Sequence, residues 1–261
     1  MRRLFTFGCS FTYFYWPTHA DLLGEQFDEL HNWGLSGLGN RAICERLSEC
    51  IMHNQFTADD VIIVQWTDFH RYDWHDPDSF GEFCNWRTGG NIWSKPVEIE
   101  WIKDTWNEFS YTLHSMNFIH LGNALTKNLP CKVYHTSMLD YKPILTNTPF
   151  EKYLSVIDSN WLMDFTTFCQ QHNYEGVEHR QSYFDEIIKN KVPKVFVDRH
   201  PTSDLYIKWL EEVMKVKIDN PLADRVRKYN WSKIDTVSVS YTHLRAHETK
   251  ANLVCRLLRE K

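Results

Sequence analysis

Ser10 follows Gly8 and Cys9 at the end of a short apolar run, and His200 stands two residues after Asp198 near the far end of the chain. A serine hydroxyl attacks a carbonyl only when a neighbouring imidazole removes its proton, and a carboxylate on the other ring nitrogen holds that imidazole in the right tautomer. Ser10, Asp198 and His200 supply those three groups, in chain order nucleophile, orienting acid and base. The developing oxyanion needs N–H or O–H donors. The backbone N–H of Ser10 is one candidate, and two further blocks, Leu35-Ser36-Gly37-Leu38-Gly39-Asn40 and Gln65-Trp66-Thr67-Asp68, accompany it in the sequence. Asn40, Trp66 and Arg71 lie close enough in sequence to these blocks to be candidates for substrate contact, Asn40 also for a helix N-cap and Arg71, like Arg87, for an anionic substrate group.

Other clusters suit different chemistry. Asp68, His70, Asp73, His75, Asp76 and Asp78 are ligand types for zinc or manganese. His70 and His75 fall on no common helical or strand face, and Pro77 and Gly81 mark a loop, so no metal site is assigned and no cofactor is expected. A metal-dependent hydrolase is the reading such a site would support. Trp66, Trp74, Trp86, Trp93, Trp101 and Trp106 crowd one stretch of a chain that has 11 tryptophans, enough to pack an insertion or to line a lid over Ser10.

These residues must be carried by elements that bring them together. Arg3 to Phe7 reads as a short buried strand stopped at Gly8, and Asp60 to Trp66 as a continuous β-branched strand covered on both faces. Cys131 to Ser137 and Lys194 to Val197 read as further strands. Helical spacing runs from Asn40 through Ile43, Leu47 and Ile51, and again over Trp106 to Leu129, Asn160 to His172, Gln181 to Lys189, and beyond Thr202 or Ser203 through Leu205, Trp209, Leu210 and Val213. The alternation predicts a single α/β domain over residues 1–236, a mostly parallel sheet flanked by helices, with residues 70–105 as an aromatic-rich insertion. Ser10 and Thr67 would then sit at the carboxyl edge of the sheet, where open α/β folds bind ligands.

In order and placement, the four blocks around Ser10, Gly37, Thr67 and His200 resemble the SGNH, or GDSL-type, serine hydrolases, over residues 1 to about 215. The resemblance implies a flavodoxin-like three-layer α/β/α fold and hydrolysis of a small acyl ester, including acetyl groups on carbohydrates. By that resemblance Ser10 is the nucleophile, Gly37 an oxyanion donor and His200 the base. Cys9 stands where the family has aspartate, Thr67 where it has asparagine, and Asp198 is two residues from His200 where the family spacing is three. Those departures leave an alternative: a non-catalytic glycan-binding or structural protein, phage-encoded or surface-recognising, on the same scaffold.

Composition narrows the remaining classes. The 261 residues carry 29 basic and 34 acidic groups, a net charge of −5, which offers no positive field to a nucleic acid backbone. No apolar run approaches the roughly 20 residues of a membrane-spanning helix. The seven cysteines are odd in number and contain no Cys-x-x-Cys pair, which predicts reduced thiols and a cytoplasmic setting. Residues 237–261 hold five basic and two acidic groups and resemble translated adaptor or vector sequence, so they are set apart from the fold as a non-native tail.

Overall fold

The computed structural model describes residues 1–75, 86–91, 107–157, 160–180, 195–231 and 233–235. Strands β1 (Arg3–Phe7), β2 (Glu29–Asn32), β3 (Val61–Trp66) and β6 (Lys132–Ser137) form a parallel sheet in the order β2-β1-β3-β6. Burial shows why. Along β1 and β3, Phe5, Phe7, Ile62, Val64 and Trp66 join one buried cluster and Leu4 and Ile63 the other, the period of two that a strand imposes when both faces are covered.

The first face is closed by α2 (Asn40–His53) and α3 (Glu108–Thr126), through Ala42, Ile43, Leu47, Met116 and Ile119. The second is closed by α1 (His19–Gly24), α5 (Phe165–Gln171), α6 (Ser203–Glu212) and α7 (Pro221–Lys228), through Leu22, Phe165, Trp209, Leu210 and Val226. The short α4 (Tyr141–Leu145) follows β6. This is the three-layer α/β arrangement, consistent with a flavodoxin-like fold.

Several boundaries move for local reasons. Helix α3 starts at Glu108 because the Asn107 side chain accepts the Ser110 N–H, and α5 starts at Phe165 because Asp164 accepts from the Thr167 N–H. Helix α2 has Gly39, not Asn40, at its N-cap. The strand expected over Lys194 to Val197 is β8 (Val195–Asp198), and it does not extend the main sheet. It pairs antiparallel with β7 (Val177–Arg180), which pairs parallel with β9 (Lys233–Asp235), making a separate three-stranded sheet. Within the expected insertion, β4 (Arg71–His75) and β5 (Trp86–Asn91) form an antiparallel pair. The helix expected at residues 181–189, Trp93 and Trp101 of the insertion, Trp106 at the expected start of the next helix, and the tail 237–261 lie outside the described residues.

Register places the ends of three strands side by side. Phe7 is opposite Val64, and Trp66 is opposite Ser137, so the residues after β1, β3 and β6 emerge at one carboxyl edge. Chain order reverses at β1, which has β2 on one side and β3 on the other. A crevice opens at such a switch point in open α/β sheets.

Candidate active site

The chain leaves β1 through a tight elbow. A Cβ on Gly8 would collide with Thr12 Oγ1 and lie 2.6 Å from Gln65 Oε1, so only glycine fits there. The Cys9 carbonyl accepts the N–H groups of Thr12 (2.9 Å) and Tyr13 (3.0 Å), which winds a single helical turn with Ser10 at its start. Gln65, buried in β3, fastens this turn: its Oε1 accepts from the Cys9 N–H (3.2 Å) and the Thr12 hydroxyl (3.2 Å), while its Nε2 donates to the Trp66 carbonyl (2.6 Å).

His200 arrives from the second sheet. It sits between the end of β8 and the start of α6, and its Nε2 lies 2.8 Å from Ser10 Oγ. Asp198 Oδ1 accepts both the His200 backbone N–H (2.8 Å) and, at 2.7 Å, the Nδ1–H of the ring. The short spacing that departs from the family pattern is thus closed by an Asx turn, in which one carboxylate oxygen serves the main chain and the imidazole together. A proton on Nδ1 leaves Nε2 as the acceptor of the Ser10 O–H, the tautomer a general base needs.

Aromatic packing and backbone anchors hold the imidazole. Phe14 stacks on it with ring centroids 3.9 Å apart at 21°, and Phe11 lies at 5.1 Å. Tyr174 Oη donates to the His200 carbonyl (2.6 Å), Trp16 Nε1 to the Pro201 carbonyl (2.8 Å), and the Ser203 hydroxyl to the Pro17 carbonyl (2.6 Å). Burial pushes the Tyr174 phenol up, so it stays a donor.

Two backbone donors face no acceptor. Gly37, with φ of +87°, occupies the third position of a turn closed by Leu38 N–H to the Leu35 carbonyl (3.2 Å), a conformation that favours glycine. Among the described residues, neither the Gly37 N–H nor the Ser10 N–H is paired.

The remaining candidates are placed differently. Thr67 directs its hydroxyl at Met138 Sδ (3.8 Å), and its backbone is held by Asn40, whose Nδ2 donates to the Thr67 carbonyl (3.0 Å) while its Oδ1 accepts the Thr67 N–H (2.8 Å). Tyr141 Oη also donates to that carbonyl. Asn40 is therefore a buried brace between α2 and the end of β3, not a cap or a ligand contact. Trp66 has no exposed surface, and its indole N–H faces His135 Nδ1 at 3.2 Å, so it packs the core and contacts no ligand. Arg71 is half-buried; its Nη1 donates to the Leu38 carbonyl (3.0 Å) and its Nη2 lies 3.5 Å from Met138 Sδ.

The carboxylate and imidazole cluster disperses. Asp68 Oδ1 accepts from the His70 N–H (2.9 Å) and Nδ1 (3.0 Å), repeating the Asp-x-His turn of Asp198 and His200. That bond raises the His70 pKa; burial pushes Asp68 up, but the bonds from His70 win and hold it below its usual value. Asp73 caps the start of α2, and no group of three potential metal ligands is gathered among the described residues. Asp76 and Asp78, and the side chains of His75 and Arg87, lie outside what is described.

Sequence reasoning missed Gln65, Phe14, Tyr174 and Asp73. Gln65 carried a signal, a lone amide inside an apolar parallel strand. The other three are recognisable only from partners distant in the chain.

No family model matches the chain, and no curated protein matches it. Among solved structures, the crystal structure of protein YxiM from Bacillus subtilis is similar at 13% identity with a TM-score of 0.37, covering 66% of this chain and 45% of that one. The chain thus spans less than half the length of that protein.

Proposed function

We propose that the protein is a serine esterase of SGNH type acting on a small acyl ester, with O-acetylated carbohydrate as the favoured class. The observation that carries this reading is the 2.8 Å approach of His200 Nε2 to Ser10 Oγ, across 190 residues of chain, with Asp198 on the other ring nitrogen. His200 takes the Ser10 proton as Oγ attacks the ester carbonyl, and Asp198 stabilises the imidazolium that forms. The N–H groups of Ser10 and Gly37 receive the oxyanion. Thr67 assists if its hydroxyl turns from Met138, and Arg71, bonded to the Leu38 carbonyl beside Gly37, offers a cation to a substrate with an anionic group. His200 then protonates the departing alcohol, and water, activated by the same imidazole, releases the acyl group from Ser10. Each step uses groups of this chain alone. A binding-only protein would have no need of a histidine within bonding distance of the serine, so that alternative loses its support.

Ser10→Ala tests the proposal. Among the described residues the Ser10 side chain bonds only His200, so its loss is expected to leave the fold intact. The variant is expected to lose hydrolysis of a chromogenic short-chain ester and labelling by a fluorophosphonate probe, while its circular dichroism matches wild type. Undiminished turnover in Ser10→Ala refutes the assignment.

A further inference from the structure

The Gly37 loop is gripped from outside the main sheet by two residues of β4. Asp73 accepts the Gly39 N–H on both carboxylate oxygens at 2.9 Å and the Ala42 N–H on Oδ2 at 3.3 Å. Arg71 donates to the Leu38 carbonyl from Nη1 at 3.0 Å. The contact is close: a Cβ on Gly39 would lie 2.6 Å from Asp73 Oδ2 and 3.0 Å from Arg71 Cβ. These three bonds fix the residues just after Gly37, on the side of the loop where it enters α2.

The carboxylate is an unusual choice for that task. Asp73 is 2% exposed, and burial raises its pKa to about 6 against the opposing pull of the Gly39 and Ala42 N–H groups. A buried group that resists ionisation is a poor way to stabilise a fold and a good way to fix a backbone donor, because two acceptor oxygens on one rigid fork leave the loop a single orientation.

We propose that Asp73, supported by Arg71, is a positioning residue that holds the Leu35 to Gly39 loop so that the Gly37 N–H meets the oxyanion. Asp73 thereby completes the catalytic site without itself touching substrate. This inference rests on the serine esterase reading. If the loop is held for the transition state alone, loosening it lowers kcat and leaves KM in place.

The test compares wild type, Asp73→Ala, Asp73→Asn and Arg71→Met in hydrolysis of p-nitrophenyl acetate, with circular dichroism and melting temperature as the fold control. Asp73→Ala is expected to lower kcat about 100-fold with KM within about threefold, the scale of a lost oxyanion donor. Asp73→Asn, whose amide oxygen still accepts one N–H, should recover about a tenth or more of wild-type kcat, and Arg71→Met should fall between Asn and wild type. Wild-type kcat in a folded Asp73→Ala overturns the proposal, as does a loss that Asn does not rescue or that appears in KM. Should Asp73→Ala not fold, the Asn and Met variants decide, and wild-type kcat in both overturns it. Wild type that neither turns over ester nor labels at Ser10 defeats the esterase reading itself, a result distinct from active wild type with indifferent Asp73 variants.

Discussion

Three histidines of this chain have the same side chain and three different chemistries, each decided by what touches the ring. His200 is held between Asp198 and Ser10 and can pass a proton. His70 has the same Asp-x-His turn but no hydroxyl on Nε2 among the described residues, so its carboxylate partner only favours the charged form. His19 is fully buried against Phe165, Tyr206 and Trp209, and among the described residues neither ring nitrogen has a hydrogen-bond partner in good geometry. Burial lowers its pKa to about 3, the Phe11 backbone opposing weakly. The sign follows from proton binding: above the ordinary value near 6.5 both folded and unfolded chains hold His19 neutral, and its contribution to stability is complete. Between 6.5 and about 3 the unfolded chain takes a proton that the folded one refuses, so stability drains as pH falls. We expect wild type to lose stability relative to His19→Leu by about 1.4 kcal/mol per pH unit below pH 6, read from urea midpoints at pH 7.5, 6, 5 and 4.5. A constant difference across that series would show that His19 is not a neutral buried imidazole. None of this separates the three rings in the sequence, where each is one histidine near polar and aromatic neighbours. The approach of Ser10 to His200 was legible because glycine, strand end and proline flank them, whereas the Asx turn that joins Asp198 to His200 at its short spacing belongs to backbone geometry.

At the scale of elements, the reading succeeds where one strand or helix dictates its own burial and fails where a partner decides. β3 was legible because every residue from Ile62 to Trp66 is apolar or braced and is covered on both faces. β8, Val-Phe-Val-Asp, is also mostly apolar but lies in another sheet, since its partner β7 is chosen by tertiary contacts that no local period records. The meeting of α3 with β3 shows how tightly such partners can fit. A Cβ on Gly122 would lie 2.5 and 2.6 Å from ring carbons of Trp66. That indole cannot retreat, because its N–H faces His135 Nδ1 and His135 Nε2 bonds Thr126 one turn further along α3. Helix propensity favours Gly122→Ala by about 1 kcal/mol, but overpacking a fixed core costs about 1–3 kcal/mol. We therefore expect Gly122→Ala to lower stability by about 1 kcal/mol, and the melting temperature by about 2–4 °C. A melting temperature at or above wild type would show that the helix can move off the sheet.

The whole molecule brings its first and last described segments together to make one site. Ser10 to His200, Trp16 to Pro201, Pro17 to Ser203 and Leu22 to Asn220 are hydrogen bonds spanning 185 to 198 residues. Such closures leave no trace in composition or periodicity, and for that reason the sequence could suggest that His200 returns to Ser10 but not by what route. Among the described residues, the main sheet is sealed on both faces by extensive clusters, and the segment beside β7 packs on a smaller one, Phe14, Trp16 and Val177, with Tyr174, Tyr229 and Trp231 at its margin. Regions with little buried apolar surface open at lower free energy than the global core. Opening there withdraws His200 while the parallel sheet stays intact, so nucleophilicity should vanish first. In a urea series, the fluorophosphonate labelling of Ser10 is expected to fall at a lower concentration than the far-ultraviolet dichroism. Trp16→Leu, which removes the indole donor to Pro201 and part of that small cluster, should widen the gap by lowering the labelling midpoint more than the dichroism midpoint. Coincident transitions in both proteins would mean that the His200 segment unfolds only with the main sheet, as one cooperative unit.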